Sequence, residues 1–146
     1  RDGLGFAAAL RGMYALALHD RGTRGVVLAR DRFGIKPLYL AEVPGGIAFA
    51  SEPQALIAAG LVAPRVRADA RAELLQSQFT TGAATIFEGI SRVLPGETVL
   101  IADGAIAERR RIAALPEGGP EEIGAEAALA RFDAALEESV RLHQRS

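Results

Sequence analysis

Residues 13–51 read MYALALHDRGTRGVVLARDRFGIKPLYLAEVPGGIAFAS, and this stretch decides the fold. It contains four apolar runs of strand length, separated by short segments that carry glycine, proline or charged residues. Short connections favour antiparallel pairing between neighbouring strands. The sequence therefore predicts a four-stranded antiparallel meander, with its strands at residues 13–20, 25–31, 36–42 and 47–51.

The switch from strand to helix is predicted at Ser51. The order Ser-Glu-Pro-Gln places a hydroxyl at the N-cap, a proline in the first turn and Gln54 three residues after the cap. Ser51 and Gln54 are therefore expected to form a capping box, in which the side chain of each residue accepts the backbone N–H of the other. Gly60 is expected to end this helix.

Two further helices are predicted in the same part of the chain. Residues 2–10 are expected to form a short helix whose end is marked by Gly12, since glycine is favoured just past a helix end. Asp69 is expected to cap a second helix that ends near Gln78. Residues 80–94 show no clear period, and no element is assigned to them.

The remainder of the chain contains a hairpin, a linker and a long helix. Pro95-Gly96 predicts a turn, and Asp103-Gly104 predicts a tight hairpin between strands at 97–102 and 105–110. Residues 113–120 contain two prolines and two adjacent glycines, which is typical of a linker. Residues 121–143 predict an amphipathic helix whose apolar stripe is expected to cover the next domain of a longer protein. The stripe consists of Leu129, Phe132, Leu136 and Val140.

Composition excludes several classes of function. Seventeen basic residues against 18 acidic ones give a formal net charge of -1, so neither nucleic acid nor a membrane surface is an expected partner. Cysteine is absent, which excludes a disulfide scaffold and any thiol nucleophile within the chain. The two histidines, His19 and His143, have no metal-ligand spacing, so no metal site is expected. A cytoplasmic protein with no nucleotide-binding motif of its own is predicted.

The segment Arg30-Asp31-Arg32-Phe33-Gly34-Ile35-Lys36-Pro37 is the densest polar cluster, and it lies between two apolar strands. One interpretation is structural: Asp31 accepts backbone N–H groups and pairs with Arg30 or Arg32, Gly34 supplies a positive φ, and Pro37 lies on an edge strand. The alternative is that Asp31, Arg30 or Arg32 faces a polar substrate at one end of the sheet. These three are the substrate-binding candidates, and no catalytic residue is assigned.

Several further residues are assigned structural roles in turns and at helix ends. They are Gly12, Gly34, Pro37, Ser51, Glu52, Gln54, Pro95 and Gly96.

Four collinear motifs carry a family resemblance. They are LRGMYALALHD at 10–20, LARDRFGIKPLYL at 28–40, IAFASEPQAL at 47–56 and TIFEGISRVLPGETVLI at 85–101. In this order they resemble the glutamine-hydrolysing asparagine synthetases, which are class II glutamine amidotransferases. The last helix, with FDAALEESVRLHQRS at 132–146, is similar to the family's helix that leads into the synthetase domain.

The resemblance implies an α+β fold, part of an N-terminal-nucleophile (Ntn) hydrolase αββα sandwich with antiparallel sheets and flanking helices. Residues 1–112 would be the second half of the glutaminase domain, 113–120 a linker, and 121–146 the helix that leads into an ATP-dependent synthetase domain. The family's nucleophile is an N-terminal cysteine whose α-amine acts as the base, and it would precede Arg1. ATP and Mg²⁺ would belong to the synthetase domain, and this segment would hold no cofactor.

Three hypotheses follow. The first is that the chain is a fragment of an asparagine synthetase whose parent takes ammonia from glutamine and amidates aspartate, the fragment being inactive alone. The second is a fragment of a related amidotransferase that acts on another carboxylate acceptor. The third is a self-sufficient interaction module that uses its apolar helical stripe, and a homo-oligomer or a self-associating fragment is expected.

Overall fold

The computed structural model describes residues 3–115 and 117–144. The chain divides into two compact units, Arg1–Leu115 and Pro116–Ser146. The first unit holds a 3-10 helix at Gly3–Ala9, two antiparallel sheets and two short α-helices, and the second holds one long helix. In chain order the elements are β1 (Ala15–Asp20), β2 (Gly25–Arg30), β3 (Tyr39–Val43), β4 (Gly46–Ala50), α1 (Pro53–Ala58), α2 (Ala68–Ser77), β5 (Ser91–Arg92), β6 (Glu97–Ala102), β7 (Ala105–Arg111) and α3 (Ala125–His143).

The larger sheet has four strands in the order β1-β2-β6-β7. The β1–β2 hairpin pairs Ala15 with Arg30 and Asp20 with Gly25, and β6 pairs antiparallel with the other side of β2. The predicted β6–β7 hairpin at Asp103-Gly104 is confirmed, although a bulge between Leu100 and Ile101 shifts its register. Strand β2 is thereby enclosed by neighbours on both sides, and its second half is buried.

The smaller sheet has three strands in the order β4-β3-β5. The predicted four-stranded meander is therefore wrong, because β2 and β3 belong to different sheets. The chain leaves the larger sheet after Arg30 and enters the smaller one at Tyr39, so the polar segment between them is a crossover. The free side of β2 is occupied by β6, a distant strand, which leaves no place beside it for β3.

The two sheets share one apolar core. Its buried members come from β2, β3 and β6 and from the residues just before β3 and after β5, namely Leu28, Leu38, Leu40, Val93, Val99 and Ile101. A second cluster lies on the other face of the smaller sheet, where α1 packs through Leu56 against Ala41 and Ile90. Leu40 and Ala41 are adjacent and point to opposite faces, as strand geometry requires. The expectation of antiparallel sheets with flanking helices is confirmed.

The predicted capping box is wrong. Helix α1 begins at Pro53 with Glu52 as its N-cap, and no side chain caps it. Proline at the first helical position moves the N-cap to Glu52, so Ser51 lies one residue too early and Gln54 is the second helical residue. Gly60, with φ +70°, lies just after the helix as expected.

Two other helix ends also differ from expectation. Arg67, not Asp69, is the N-cap residue of α2, and Asp69 in the first turn instead accepts hydrogen bonds from the Arg67 side chain. The first helix is of the 3-10 type and ends at Ala9, three residues before Gly12. Short polar side chains can bind local groups outside a capping geometry, which is what Asp69 does.

The second unit contains one long helix. Helix α3 begins at Ala125, four residues later than predicted, with Gly124 as its N-cap. None of its residues is buried, and the predicted stripe of Leu129, Phe132, Leu136 and Val140 is 49–62% exposed. No helix in the described part of the chain combines the length and apolarity that a bilayer crossing demands.

Gly96 joins the crossover to the end of β7. Its N–H donates to the carbonyl of Asp31 and its own carbonyl accepts the N–H of Ile112. Its φ is +70°, and a Cβ added there would overlap the carbonyl oxygen of Ile112. Only glycine satisfies both conditions.

Replacing Gly96 by alanine is expected to destabilise the protein by about 4 kcal/mol, because backbone strain and a clash with main chain add. Gly82→Ala is the matched control, since Gly82 has φ +67° and open space around its Cβ position. That control should cost only about 1–2 kcal/mol. Chemical denaturation measures both, and equal losses would contradict the packing of Gly96 against Ile112.

Candidate functional site

Asp31 is the centre of the crossover. Its side chain is only 1% exposed, and its carboxylate accepts three backbone N–H groups. Oδ1 accepts from Phe33 at 3.2 Å and from Ile35 at 3.0 Å, and Oδ2 accepts from Lys36 at 3.0 Å. The carboxylate therefore satisfies the donors of a turn that has no ladder of its own.

Arg30 donates hydrogen bonds to carbonyl groups of the same turn and of the smaller sheet. Nη2 donates to Gly34 at 2.6 Å, Nε to Lys36 at 2.7 Å and Nη1 to Val93 at 2.7 Å. Val93 directly follows β5 in the smaller sheet, whereas Arg30 ends β2 in the larger one. The guanidinium fork thus connects the two sheets across their shared core.

The expected ion pair of Asp31 with Arg30 or Arg32 is not formed among the described residues. Each charge is satisfied by backbone instead, Asp31 by N–H groups and Arg30 by carbonyl groups. An ion pair between the side chains would have left those backbone groups buried without hydrogen-bond partners. The free-energy penalty of several such groups exceeds the stabilisation that one ion pair provides.

Backbone contacts fix the crossover further. The N–H of Asp31 donates to Tyr14, and the Asp31 carbonyl accepts the N–H groups of Gly34 and Gly96. Gly34 has φ +64°, and a Cβ there would lie 2.8 Å from Cγ of Pro95 and 3.1 Å from Cζ of Arg30. Gly34 therefore provides the positive φ of the turn, and its missing side chain lets Pro95 and Arg30 pack closely against it.

The other predicted residues take different places. Arg32 Nη2 donates to the carbonyl of Ala8 at 2.9 Å, and its buried Nε has no hydrogen-bond partner. Pro37 lies two residues before β3, which is the central strand of its sheet, so the edge-strand assignment is wrong. Proline lacks an N–H and is accommodated here because the position precedes the ladder.

The surroundings of the crossover shift the pKa values of Asp31 and Tyr14. Burial by itself raises the pKa of Asp31, but the N–H groups of Lys36, Ile35 and Phe33 outweigh it and hold the pKa below its ordinary value. Burial, and then the negative charge of Asp31, raise the pKa of Tyr14, whose hydroxyl donates to the Ala7 carbonyl. Asp31 therefore remains ionised, and its oxygens are occupied by donors. Its chemistry is that of a fixed anion that organises backbone.

An open cleft of about 500 Å³ lies elsewhere in the first unit, between the edges of the two sheets. Its charged lining residues are Glu42 of β3, Arg67 beside α2 and Arg109 of β7. The three substrate-binding candidates, Arg30, Asp31 and Arg32, are not among the residues that line it. Their role toward a substrate stays a prediction.

The ion pair between Glu97 and Arg109 was not predicted from the sequence. Glu97 is buried, its Oε1 accepts Nη1 of Arg109 at 2.9 Å and its Oε2 accepts the N–H of Leu94 at 2.7 Å. Arg109 is the first of three consecutive arginines on the edge strand β7. In the observed register Glu97 pairs with Arg111 and Val99 pairs with Arg109, so Glu97 and Arg109 are diagonal neighbours on one face of the sheet. The bulge between Leu100 and Ile101 sets this register, and the hairpin turn alone does not predict it.

No metal centre is formed by the described residues, since they contain no group of three or more metal-ligating side chains.

Asp31→Asn is expected to lower the free energy of unfolding by about 1–3 kcal/mol. The amide has a single acceptor oxygen, and its NH2 group is a donor that would face backbone N–H groups. Asp103→Asn is the matched control, since Asp103 is exposed in a hairpin turn with φ 49° that asparagine tolerates equally. Chemical denaturation at neutral pH measures both losses. Equal small losses would contradict the role given to Asp31.

The same carboxylate predicts a pH dependence. Because the folded pKa of Asp31 is lowered, its contribution is present above the ordinary carboxyl pKa and is lost as the pH falls through the lowered one. The stability gap between the natural chain and Asp31→Asn should therefore narrow in acid. A gap that widens as the pH falls would contradict this sign.

Comparison with known proteins places the chain. The model of a glutamine amidotransferase domain matches residues 1–111. The chain is 36% identical over 143 residues to a protein of Mycobacterium tuberculosis named "Putative asparagine synthetase (glutamine-hydrolyzing)", covering 94% of this chain and 22% of that protein.

Shorter matches agree. Amidase chyE of Penicillium rubens is 35% identical over 99 residues, which is 67% of this chain and 14% of that protein. Asparagine synthetase (glutamine-hydrolyzing) 1 of Bacillus subtilis is 32% identical over 95 residues, which is 65% of this chain and 15% of that protein. The chain thus spans less than a quarter of the length of these relatives. The chain belongs to the glutamine amidotransferase domain family.

Proposed function

We propose that this chain is the second half of the glutaminase domain of a glutamine-hydrolysing asparagine synthetase. The observation that carries the proposal is the collinear match of nearly the whole chain to a relative named as such a synthetase, together with the domain match over 1–111. The parent would hydrolyse glutamine to glutamate and ammonia, and use ATP and Mg²⁺ in a separate domain to amidate aspartate.

The architecture supports an Ntn hydrolase sandwich. Two antiparallel sheets share an apolar core, and α1 packs on the outer face of the smaller sheet. This is the order sheet, sheet, helix, which makes up three of the four layers of an αββα sandwich. Residues 1–112 would supply these layers, and the Arg30–Asp31 crossover would hold the two sheets at a fixed spacing.

The chain would contribute structure and not the nucleophile. It contains no cysteine, and amide cleavage by this family would need a thiol that precedes Arg1. The crossover carboxylate is buried and accepts three backbone N–H groups, so it would serve as a structural anion and not as a base for substrate. Purified alone, the chain should release no ammonia from glutamine, and release above a buffer control would contradict this.

The second unit would open the next domain. Residues 113–120 would serve as the linker and 121–146 as the helix that enters the synthetase domain. The stripe of Leu129, Phe132, Leu136 and Val140 is exposed by about half or more, as an interface not yet covered would be. Self-association through this stripe would be the behaviour of the isolated chain, in a cytoplasmic parent.

The proposal can be tested in a chimera. Residues 1–112 replace the matching part of Bacillus subtilis asparagine synthetase 1, and asparagine formation is measured with glutamine and, separately, with ammonia as the nitrogen donor. We expect activity with both donors, because the transplanted segment would rebuild the glutaminase fold behind the host's own N-terminal residues. Activity with ammonia shows that the rest of the enzyme is folded.

The control is the same chimera with the host's N-terminal cysteine changed to alanine. It should keep activity with ammonia and lose activity with glutamine. A first chimera that uses ammonia but not glutamine would contradict the proposal, because the segment would then fail as a glutaminase half.

A further inference from the structure

The cleft between the two sheet edges combines an apolar floor with charges of both signs. Leu40, Phe87 and Ile90 provide the floor, and Glu42, Arg67 and Arg109 provide the charges. Its volume of about 500 Å³ is within the range of small-molecule sites. None of these residues takes part in the Arg30–Asp31 crossover, although Leu40 and Ile90 also belong to the two apolar clusters of the fold.

Both guanidinium groups are held in place before any ligand arrives. Arg67 donates to Asp69 from Nε, at 3.1 Å, and from Nη2, which leaves Nη1 free of that pair. Arg109 donates to Glu97 from Nη1 alone, which leaves Nη2 and Nε. Arginine has five N–H donors, so each group retains donors for a carboxylate at little further cost in side-chain entropy.

Glu42 supplies the opposite charge. It lies on β3 two residues from Leu40, so the two side chains point to the same face of the sheet. Its side chain is exposed, and no hydrogen bond or ion pair engages it within the described ranges. A free carboxylate that lines a cleft is a ready partner for an ammonium group.

The charges around the cleft discriminate among ligands. A simple anion would gain from the two guanidinium groups but would also meet the Glu42 carboxylate. A simple cation would gain from Glu42 but would meet Arg67 and Arg109. Only a ligand with both charges gains at each end while its body covers the apolar floor.

We propose that this cleft binds a small zwitterion that carries a carboxylate and an ammonium group on a short aliphatic body. The carboxylate binds Arg67 and Arg109, and the ammonium group binds Glu42. The site differs from the thiol-dependent glutamine site that the proposed function places outside this chain, so either proposal can fail without the other.

The test is a titration of the ¹⁵N-labelled chain, followed by amide chemical shifts at neutral pH and constant ionic strength. The probes are 5-aminopentanoate, pentanoate and pentylamine, which share a carbon chain and differ in charge. We expect 5-aminopentanoate to shift amides around residues 83–91 and to bind about tenfold more tightly than either singly charged probe. Equal binding of pentanoate, or no shifts at these residues with 5-aminopentanoate, overturns the proposal.

Two variants assign the two ends. Glu42→Gln should remove the advantage of 5-aminopentanoate over pentanoate. Arg67→Gln should reduce its advantage over pentylamine, because Arg109 remains. Glu108→Gln and Arg71→Gln are matched controls, because both residues are exposed and do not line the cleft. Because all four positions are on the surface or at its edge, the dispersed spectrum of each variant should persist. An unchanged preference in Glu42→Gln or Arg67→Gln overturns the proposal.

Discussion

Two adjacent side chains of opposite charge, Arg30 and Asp31, hold the first unit together by binding backbone and not each other. The Asp31 carboxylate accepts hydrogen bonds from N–H groups of the crossover. The Arg30 guanidinium donates to carbonyl groups of the crossover and of the smaller sheet. A buried charge is tolerated only when it is hydrogen-bonded, and here Asp31 accepts three backbone N–H groups while Arg30 donates from each of its three nitrogens. The core between the sheets depends on this arrangement, because the crossover decides where β3 lies relative to β2.

This view separates scaffold from chemistry. The crossover motif, one of the four that carry the family resemblance, organises backbone in this fold, since its carboxylate is buried and its arginine donates to carbonyl groups. Gly34 and Gly96 belong to the same arrangement, because their missing side chains let Pro95, Arg30 and Ile112 approach. The Glu42 carboxylate, by contrast, lies in the cleft and has no hydrogen-bond or ion-pair partner within residues 3–115 and 117–144.

Much of the local structure could be predicted from the sequence, but the assembly of the sheets could not. The apolar runs of strand length and the Asp103-Gly104 turn predicted six strands close to their observed positions, because strand-forming composition and turn chemistry are local properties. The pairing of β2 with β6 is not local, so adjacency in sequence suggested β3 as the neighbour instead. Strand β5 has two residues and no period to detect. The cleft escaped prediction because its three charges come from residues 42, 67 and 109, which only the fold brings together.

Native-state hydrogen exchange measures the central claim most directly. If the crossover is part of the cooperative core, the amides of Ile35, Lys36 and Gly96 should exchange as slowly as those of β2 and β6, through global unfolding alone. The dependence of their exchange on denaturant should then match that of the sheet amides. Fast exchange of these three amides through a local opening, with the sheet still protected, would show that the two sheets hold their places without the Arg30–Asp31 crossover.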